Sequence, residues 1–263
     1  MMKLRFLDEP APPPAEFAVA GLIPRSGLTL LVGAPAAGKS VLAAELAVAM
    51  VRGGYWAGRD VKAAGSVLYI APERGTVQER RLRHHLGSDA RVAVAAGAFN
   101  LREAGSVEDI RRAVAEVERR SKELIGLVVI DTFAAAAPGI RENETAEVEP
   151  IARALARLSE EIDAPVVLIH HAGKDGFIRG STALPAAADA ILAVWADRSG
   201  ARRLVPEKLN EGQPATGMPF RIEDSGGGPT VIWQDKVEPV ARPASAETRL
   251  TPDEKMIARE VRR

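Results

Sequence analysis

Gly33-Ala34-Pro35-Ala36-Ala37-Gly38-Lys39-Ser40 follows an apolar run, opens a helical stretch and has the spacing G-x-x-x-x-G-K-[ST]. These residue types suit the chemistry of holding a triphosphate. Gly33 and Gly38 allow backbone angles that turn amides inward, and the small Ala36 and Ala37 let phosphate oxygens approach closely. The N-terminus of the following helix adds partial positive charge. Lys39 is placed to neutralise the β- and γ-phosphates, and the Ser40 hydroxyl to ligate Mg²⁺. Val41 completes the stretch assigned to nucleotide binding. A chance glycine-rich turn would not explain why spacing, Lys-Ser and context agree.

The metal needs a second oxygen donor, an acid at the end of a neighbouring buried strand. Leu127-Val128-Val129-Ile130-Asp131 supplies one at the carboxyl edge, where ligands bind in open α/β sheets. The plainer role for Asp131 is to cap the next turn. Thr132, Phe133 and alanines follow it, so a carboxylate that activates water must come from elsewhere. Val67-Leu68-Tyr69-Ile70-Ala71-Pro72-Glu73 is a second buried run ending in an acid at the same edge. Glu73 is the expected catalytic base; a surface glutamate before a turn is the alternative.

Short apolar runs alternate with amphipathic stretches along most of the chain. Strands are expected over Leu28–Val32, Ser66–Ala71, Arg91–Ala96, Leu127–Ile130 and Pro165–His170. Helices are expected over Gly38–Val51, Thr76–Leu86, Val107–Glu123 and Glu147–Ile162. That rhythm implies an α/β fold, a central mostly parallel twisted sheet with helices on both faces. After Ala187 the helices stop. Ala190–Trp195, Arg202–Lys208, Pro219–Ile222 and Thr230–Trp233 read as antiparallel strands extending one edge. Residues 1–20 read as an extended lead-in, 21–234 as one domain, and 235–263 as a linker with a short helix starting at Thr251-Pro252.

Lys+Arg and Asp+Glu balance at 35 each, so any nucleic-acid surface must be local rather than global. The chain has no cysteine, which excludes disulfides and thiolate metal sites. Met1–Pro14 lacks the apolar run of a signal peptide and no segment approaches a membrane span, so a cytoplasmic location is expected.

The ordered set GAPAAGKS, SVLYIAPE, LVVIDT, VVLIHHAGK, RGSTAL and EKLNEG resembles RecA-like P-loop ATPases, particularly the RepA-like and DnaB-type hexameric helicase ATPases. The resemblance runs from about Ile23 to Gly212. It implies ATP and Mg²⁺ as ligands and a homo-oligomeric ring, expected to be hexameric. It also places a γ-phosphate sensor at the strand end Val166–His171, with His170 the first choice and His171 the second; a backbone-satisfied histidine is the alternative. Lys174, Phe177 and Arg179 on the following loop become candidates for single-stranded DNA contact, though any flexible connection has a similar composition. Lys208 and Arg203, with Arg202 nearby, become candidate cationic fingers reaching a neighbour's nucleotide. Asn210 departs from the pattern, standing where DnaB-type proteins carry a finger arginine. His84 and His85 read as surface residues. Gly54-Tyr55-Trp56 either borders the base or packs under the sheet.

Two functions follow from the resemblance: ATP-driven translocation on single-stranded DNA, or a nucleotide-switched ATPase acting on a protein partner. A small-molecule kinase is a weaker third, since no second phosphate-acceptor site or arginine-rich lid is evident.

Overall fold

The computed structural model describes residues 15–173, 178, 180–197, 199–210, 216–224, 226 and 228–234. The candidate DNA-contact residues Lys174, Phe177 and Arg179, the first fourteen residues and the stretch 235–263 lie outside them.

The described chain opens on a small antiparallel pair, β1 (Phe17–Val19) and β2 (Ile23–Pro24). Ala18 and Val19 are fully buried, so the packed part of the chain begins inside the span read as a lead-in. β3 (Leu28–Gly33) is followed by α1 (Lys39–Arg52) and a short hairpin, β4 (Tyr55–Trp56) and β5 (Arg59–Asp60). Next come β6 (Ser66–Ala71), α2 (Gly75–Leu86), β7 (Val92–Ala96), α3 (Ser106–Ser121) and β8 (Ile125–Ile130). After β8 the chain forms a single turn, α4 (Phe133–Ala136), then α5 (Thr145–Ile162), β9 (Val166–His171) and the short α6 (Ala183–Ala187). It ends on β10 (Ala190–Ala196), β11 (Arg202–Leu209), β12 (Met218–Asp224) and β13 (Pro229–Trp233).

Nine of these strands form one sheet in the order β13-β12-β11-β10-β3-β9-β8-β6-β7. The pairs from β10 through β7 are parallel, and reversal starts at β11. β10, expected among the antiparallel strands, runs parallel to β3; the antiparallel extension is β11 to β13. β3, β6 and β8 are buried at every residue, as expected of strands covered on both faces.

Strand alternation sorts these side chains into two cores. Tyr69, Leu127, Val129, Val167 and Ile169 join the core packed on α1, with Leu42 and Leu46. Leu68, Ile70, Val128, Ile130, Val166 and Leu168 join the opposite core, with Val114 of α3 and Leu155 of α5. Neighbouring strands are in matched register, Val129 beside Val167 for example. Odd-numbered residues of β6, β8 and β9 therefore share the α1 face, which decides which polar side chains at the strand ends can meet.

The terminal hairpin is fastened to α1 by a polar contact inside the first core. Trp233 Nε1 donates to Glu45 Oε1 at 2.7 Å, and the Trp233 and Trp56 rings meet edge to face at 5.8 Å. Trp56 is 1% exposed, whereas its neighbour Tyr55 is 71% exposed. The Trp56 indole thus packs beneath the sheet rather than bordering a base. Glu45 Oε2 is buried without a hydrogen-bond partner. Burial pushes the Glu45 carboxyl up to about 7, against the opposing pull of the Trp233 and Trp56 indoles. A carboxyl with a raised folded-state pKa stabilises the fold while protonated. That contribution is fully present below the unfolded value of 4.5 and is lost as pH rises through about 7. The loss between pH 5 and pH 8 is about 2–3 kcal/mol. Gln at position 45 keeps an acceptor for Trp233 and has no proton to lose. Denaturant unfolding of Glu45→Gln and the parent should show the variant ahead at pH 8, with the gap closing toward pH 5. A gap independent of pH would rule out titration of this carboxyl.

Candidate active site

The carboxyl ends of β3, β6, β8 and β9 converge on a cleft of about 480 Å³. Pro35, Ala36, Gly38, Lys39, Ser40, Val41, Glu73 and Asp131 border it, so most residues singled out for the chemistry meet here. Gly33, Ala34 and Ala37 complete the loop behind them.

The loop geometry explains its glycines. Gly38 has φ +105° and directly precedes α1, and Ala36 also has positive φ. A Cβ on Gly33 would stand 2.7 Å from the Val194 carbonyl oxygen of β10, too close for any other residue. The first amides of α1 open toward the cleft without side-chain caps, the arrangement that receives an anion. Lys39 Nζ donates to the Gly33 and Ala34 carbonyls at 2.8 and 2.9 Å. Burial pulls its ammonium down to about 8, partly offset by Asp131. A cation curled over its own loop in this way has acceptors that phosphate oxygens can replace.

Ser40 Oγ donates to Asp131 Oδ1 at 3.1 Å. A hydroxyl and a carboxylate oxygen side by side, next to a buried lysine, form the hard-oxygen donor set that magnesium prefers. The residues present therefore fit a magnesium-bound triphosphate. Asp131 Oδ2 accepts from Tyr69 OH and from Gln78 Nε2, both at 2.9 Å. Burial raises the Asp131 carboxyl above its ordinary range, and Tyr69, Ser40, Arg81 and Lys39 oppose that shift. Burial also pushes the Tyr69 phenol well up, so it stays a donor. Glu73 lies just past β6, exposed on the cleft wall across from Ser40 and Asp131.

The two histidines part company. His170 is 2% exposed, stacks near Phe133 in the α3–α5 core, and has its Nδ1 bonded to the His171 carbonyl. His171 borders the cleft, with Nδ1 3.4 Å from Lys39 Nζ. The structure thus brings the second choice, not the first, to the phosphate loop. The cause is the alternation above, since 171 shares the α1 face with 167 and 169.

The hairpin cations are also dispersed. Lys208 Nζ donates to the Pro185 and Ala188 carbonyls at 3.0 and 2.6 Å, closing the C-terminal end of α6. Arg203 does not border the cleft; its stem packs under Gly217. Arg202, on the other face of β11, does border it, with Ile222 of β12 pressed toward Gly38. Asn210 Nδ2 donates to Asp189 Oδ1, whose Oδ2 receives the Leu28 amide, so Asn210 ties β11 to the start of β3.

Sequence reasoning does not single out Gln78, Arg81 or Tyr69 for the site. One signal is available. Gly75, Gln78 and Leu82 form the buried stripe of α2, and a glutamine at that helical spacing calls for a buried polar partner.

The family model AAA_25, described as an AAA domain, matches residues 2–176. This chain belongs to the AAA_25 family. It is 30% identical over 175 residues to the DNA repair protein RadA of Brucella abortus (strain 2308), covering 64% of this chain and 33% of that protein. It is 27% identical over 186 residues to the DNA repair protein RadA of Mycobacterium tuberculosis (strain ATCC 25618 / H37Rv), covering 70% of this chain and 35% of that protein. The AAA_25 chain therefore spans about a third of the length of these curated relatives. Among solved structures, the ATPase domain of a DnaB-type helicase superposes with a TM-score of 0.60 at 15% identity, covering 78% of this chain and 84% of that one. The KaiC-like protein PH0186 of Pyrococcus horikoshii OT3 gives 0.57 at 17% identity, covering 82% and 93%. The fold is that of a RecA-like P-loop ATPase, as expected. Among the described residues no helix is long and apolar enough to cross a membrane.

Proposed function

We propose that this AAA_25 chain hydrolyses MgATP as a subunit of a homo-oligomeric ring, six-fold as in the DnaB-type proteins, and couples hydrolysis to movement along single-stranded DNA. The observation carrying the hydrolytic half is the Ser40–Asp131 contact of 3.1 Å beside buried Lys39 at the carboxyl edge of the sheet. Bound magnesium, held by Ser40 and Asp131, would neutralise charge on the phosphates. Lys39 supplies a fixed cation to the β- and γ-phosphate oxygens, and the loop amides from Gly33 to Ser40 orient them. Glu73 accepts a proton from, and aligns, the attacking water. His171, within reach of Lys39, reports the state of the γ-phosphate to the segment that follows it.

Support for the DNA half is that segment's placement. Ala172 and Ile178 form an antiparallel bridge, so the loop carrying Lys174 and Phe177 leaves and returns beside His171. Arg179 follows directly. The name of the RadA relatives as DNA repair proteins points the same way. Arg203 and Lys208 are assigned to the neighbour's nucleotide by the resemblance to RecA-like rings.

The test is the rate of ADP and phosphate release with and without single-stranded DNA, together with native mass measurement. We expect several-fold stimulation and a ring mass. Turnover indifferent to DNA would overturn the DNA half and favour a switch acting on a protein partner.

A further inference from the structure

Four side chains around the metal-binding pair form a closed ring of hydrogen bonds, and two of them have no part in the chemistry described so far. Ser40 Oγ donates to Asp131 Oδ1, and Gln78 Nε2 donates to Asp131 Oδ2 at 2.9 Å. Arg81 Nη1 donates to Gln78 Oε1 at 2.7 Å and to the Ser40 carbonyl at 3.2 Å, which closes the ring. Gln78 is 2% exposed. Its amide is used at both ends, and Arg81 fixes its orientation because the oxygen must face a guanidinium, which cannot accept. Tyr69 OH is the second donor to Asp131 Oδ2. With two donors on Oδ2, the carboxylate cannot rotate freely, and Oδ1 is held toward Ser40 and the cleft.

We propose that Gln78 and Arg81 are positioning residues for the metal. They hold the Asp131 carboxylate with Oδ1 presented beside Ser40, and they lock α2 to the first turn of α1. This rests on the assignment of Ser40 and Asp131 to magnesium and deepens it. The second consequence concerns Glu73. Only Arg74 separates Glu73 from α2, and α2 is pinned to the phosphate loop through Arg81 and to β8 through Gln78. The ring therefore also sets the distance between the proposed base and the phosphate site. Its opposite anchor is rigid too. A Cβ on Gly75 would stand 2.2 Å from Ala96 Cβ, so α2 lies hard against β7.

Outer ligands of this kind typically change metal affinity by about 10–100-fold when removed. The test uses the full chain, Mn²⁺ as a paramagnetic probe and ADP as the nucleotide. Free Mn²⁺ is read by electron paramagnetic resonance, and ADP affinity is measured separately in EDTA. Gln78→Met keeps side-chain length but removes both hydrogen bonds. We expect it to weaken Mn²⁺ retention in the ADP complex about tenfold, to leave metal-free ADP affinity within about twofold, and to recover turnover as Mg²⁺ is raised. Arg81→Met, at the cleft wall and more tolerant of change, should weaken Mn²⁺ retention in the same direction by a smaller factor. It decides the matter if Gln78→Met does not fold. Parent-level Mn²⁺ retention in the folded variants would overturn the proposal. So would a loss of metal-free ADP binding as large as the loss of Mn²⁺, since that would mean general damage to the loop. Failure of the underlying nucleotide assignment looks different: ADP would then bind Lys39→Ala as tightly as the parent in EDTA.

Discussion

Replacing Lys39 by alanine should weaken ATP binding by about 10²–10³-fold and reduce turnover below detection. The ammonium is buried, and its three close contacts are two carbonyls of the loop and His171, all at the point where the loop meets α1. No other described lysine borders this cleft. A hydrogen bond to a charged group contributes about 1.5–3 kcal/mol, and Lys39 can serve two phosphate oxygens at once, which gives that range of affinity. Transition-state charge adds to the effect on rate, since loss of one fixed donor there costs about 10²–10³ in kcat. Titration calorimetry with a slowly hydrolysed ATP analogue measures the first quantity and phosphate release the second. Lys39→Met, which keeps most of the buried stem, separates loss of charge from loss of packing and should behave like the alanine variant. Undiminished nucleotide affinity in both would remove the basis for every assignment in the cleft.

Glu73→Gln should leave ATP affinity within about threefold while turnover falls by about 10²–10⁴, the range set by general acid–base catalysis. Glu73 lies on the cleft wall, and no contact ties it to Lys39, Ser40 or Asp131. Removing its charge thus leaves the phosphate and metal partners untouched. The amide keeps the shape and a hydrogen bond to water but cannot take the proton. Single-turnover hydrolysis with pre-bound ATP isolates this step from product release. A variant that hydrolyses ATP at the parent rate would assign activation of water to another group. Asp131 is a poor substitute, because Ser40, Tyr69 and Gln78 already occupy both of its oxygens.

The phosphate loop and the two strand-end acids are legible because each is a local pattern. Gly33 to Ser40 declares itself by spacing, and Asp131 and Glu73 each end a run of residues buried on both faces. Helix and strand positions follow from periodicity, with shifts of one or two residues at most ends. Elements too short to carry a period escape such a reading: the hairpin β4–β5, the turn α4 and the short α6. Phe17–Val19 escapes it too, because three residues beside a proline-rich stretch show no alternation, yet burial against the main core orders them.

The choice between His170 and His171 shows where local reading stops. The sequence establishes that adjacent strand residues face opposite ways, so one histidine meets the nucleotide face and the other does not. Which one does depends on the face α1 covers and on the register of β9 against β3 and β8, both of which are non-local. The same holds for Arg202 and Arg203, one residue apart and on opposite faces of β11, where only Arg202 reaches the cleft. Gln78 and Arg81 become part of the site only because α2 lies across the ends of β6 and β8. The sequence by itself determined the kind of chemistry and the alternating α/β architecture, since both are written in short-range spacing and in the types of residue. Tertiary structure decided which polar neighbours share a face, because that is settled by strand register and helix placement, properties of pairs of segments far apart in the chain.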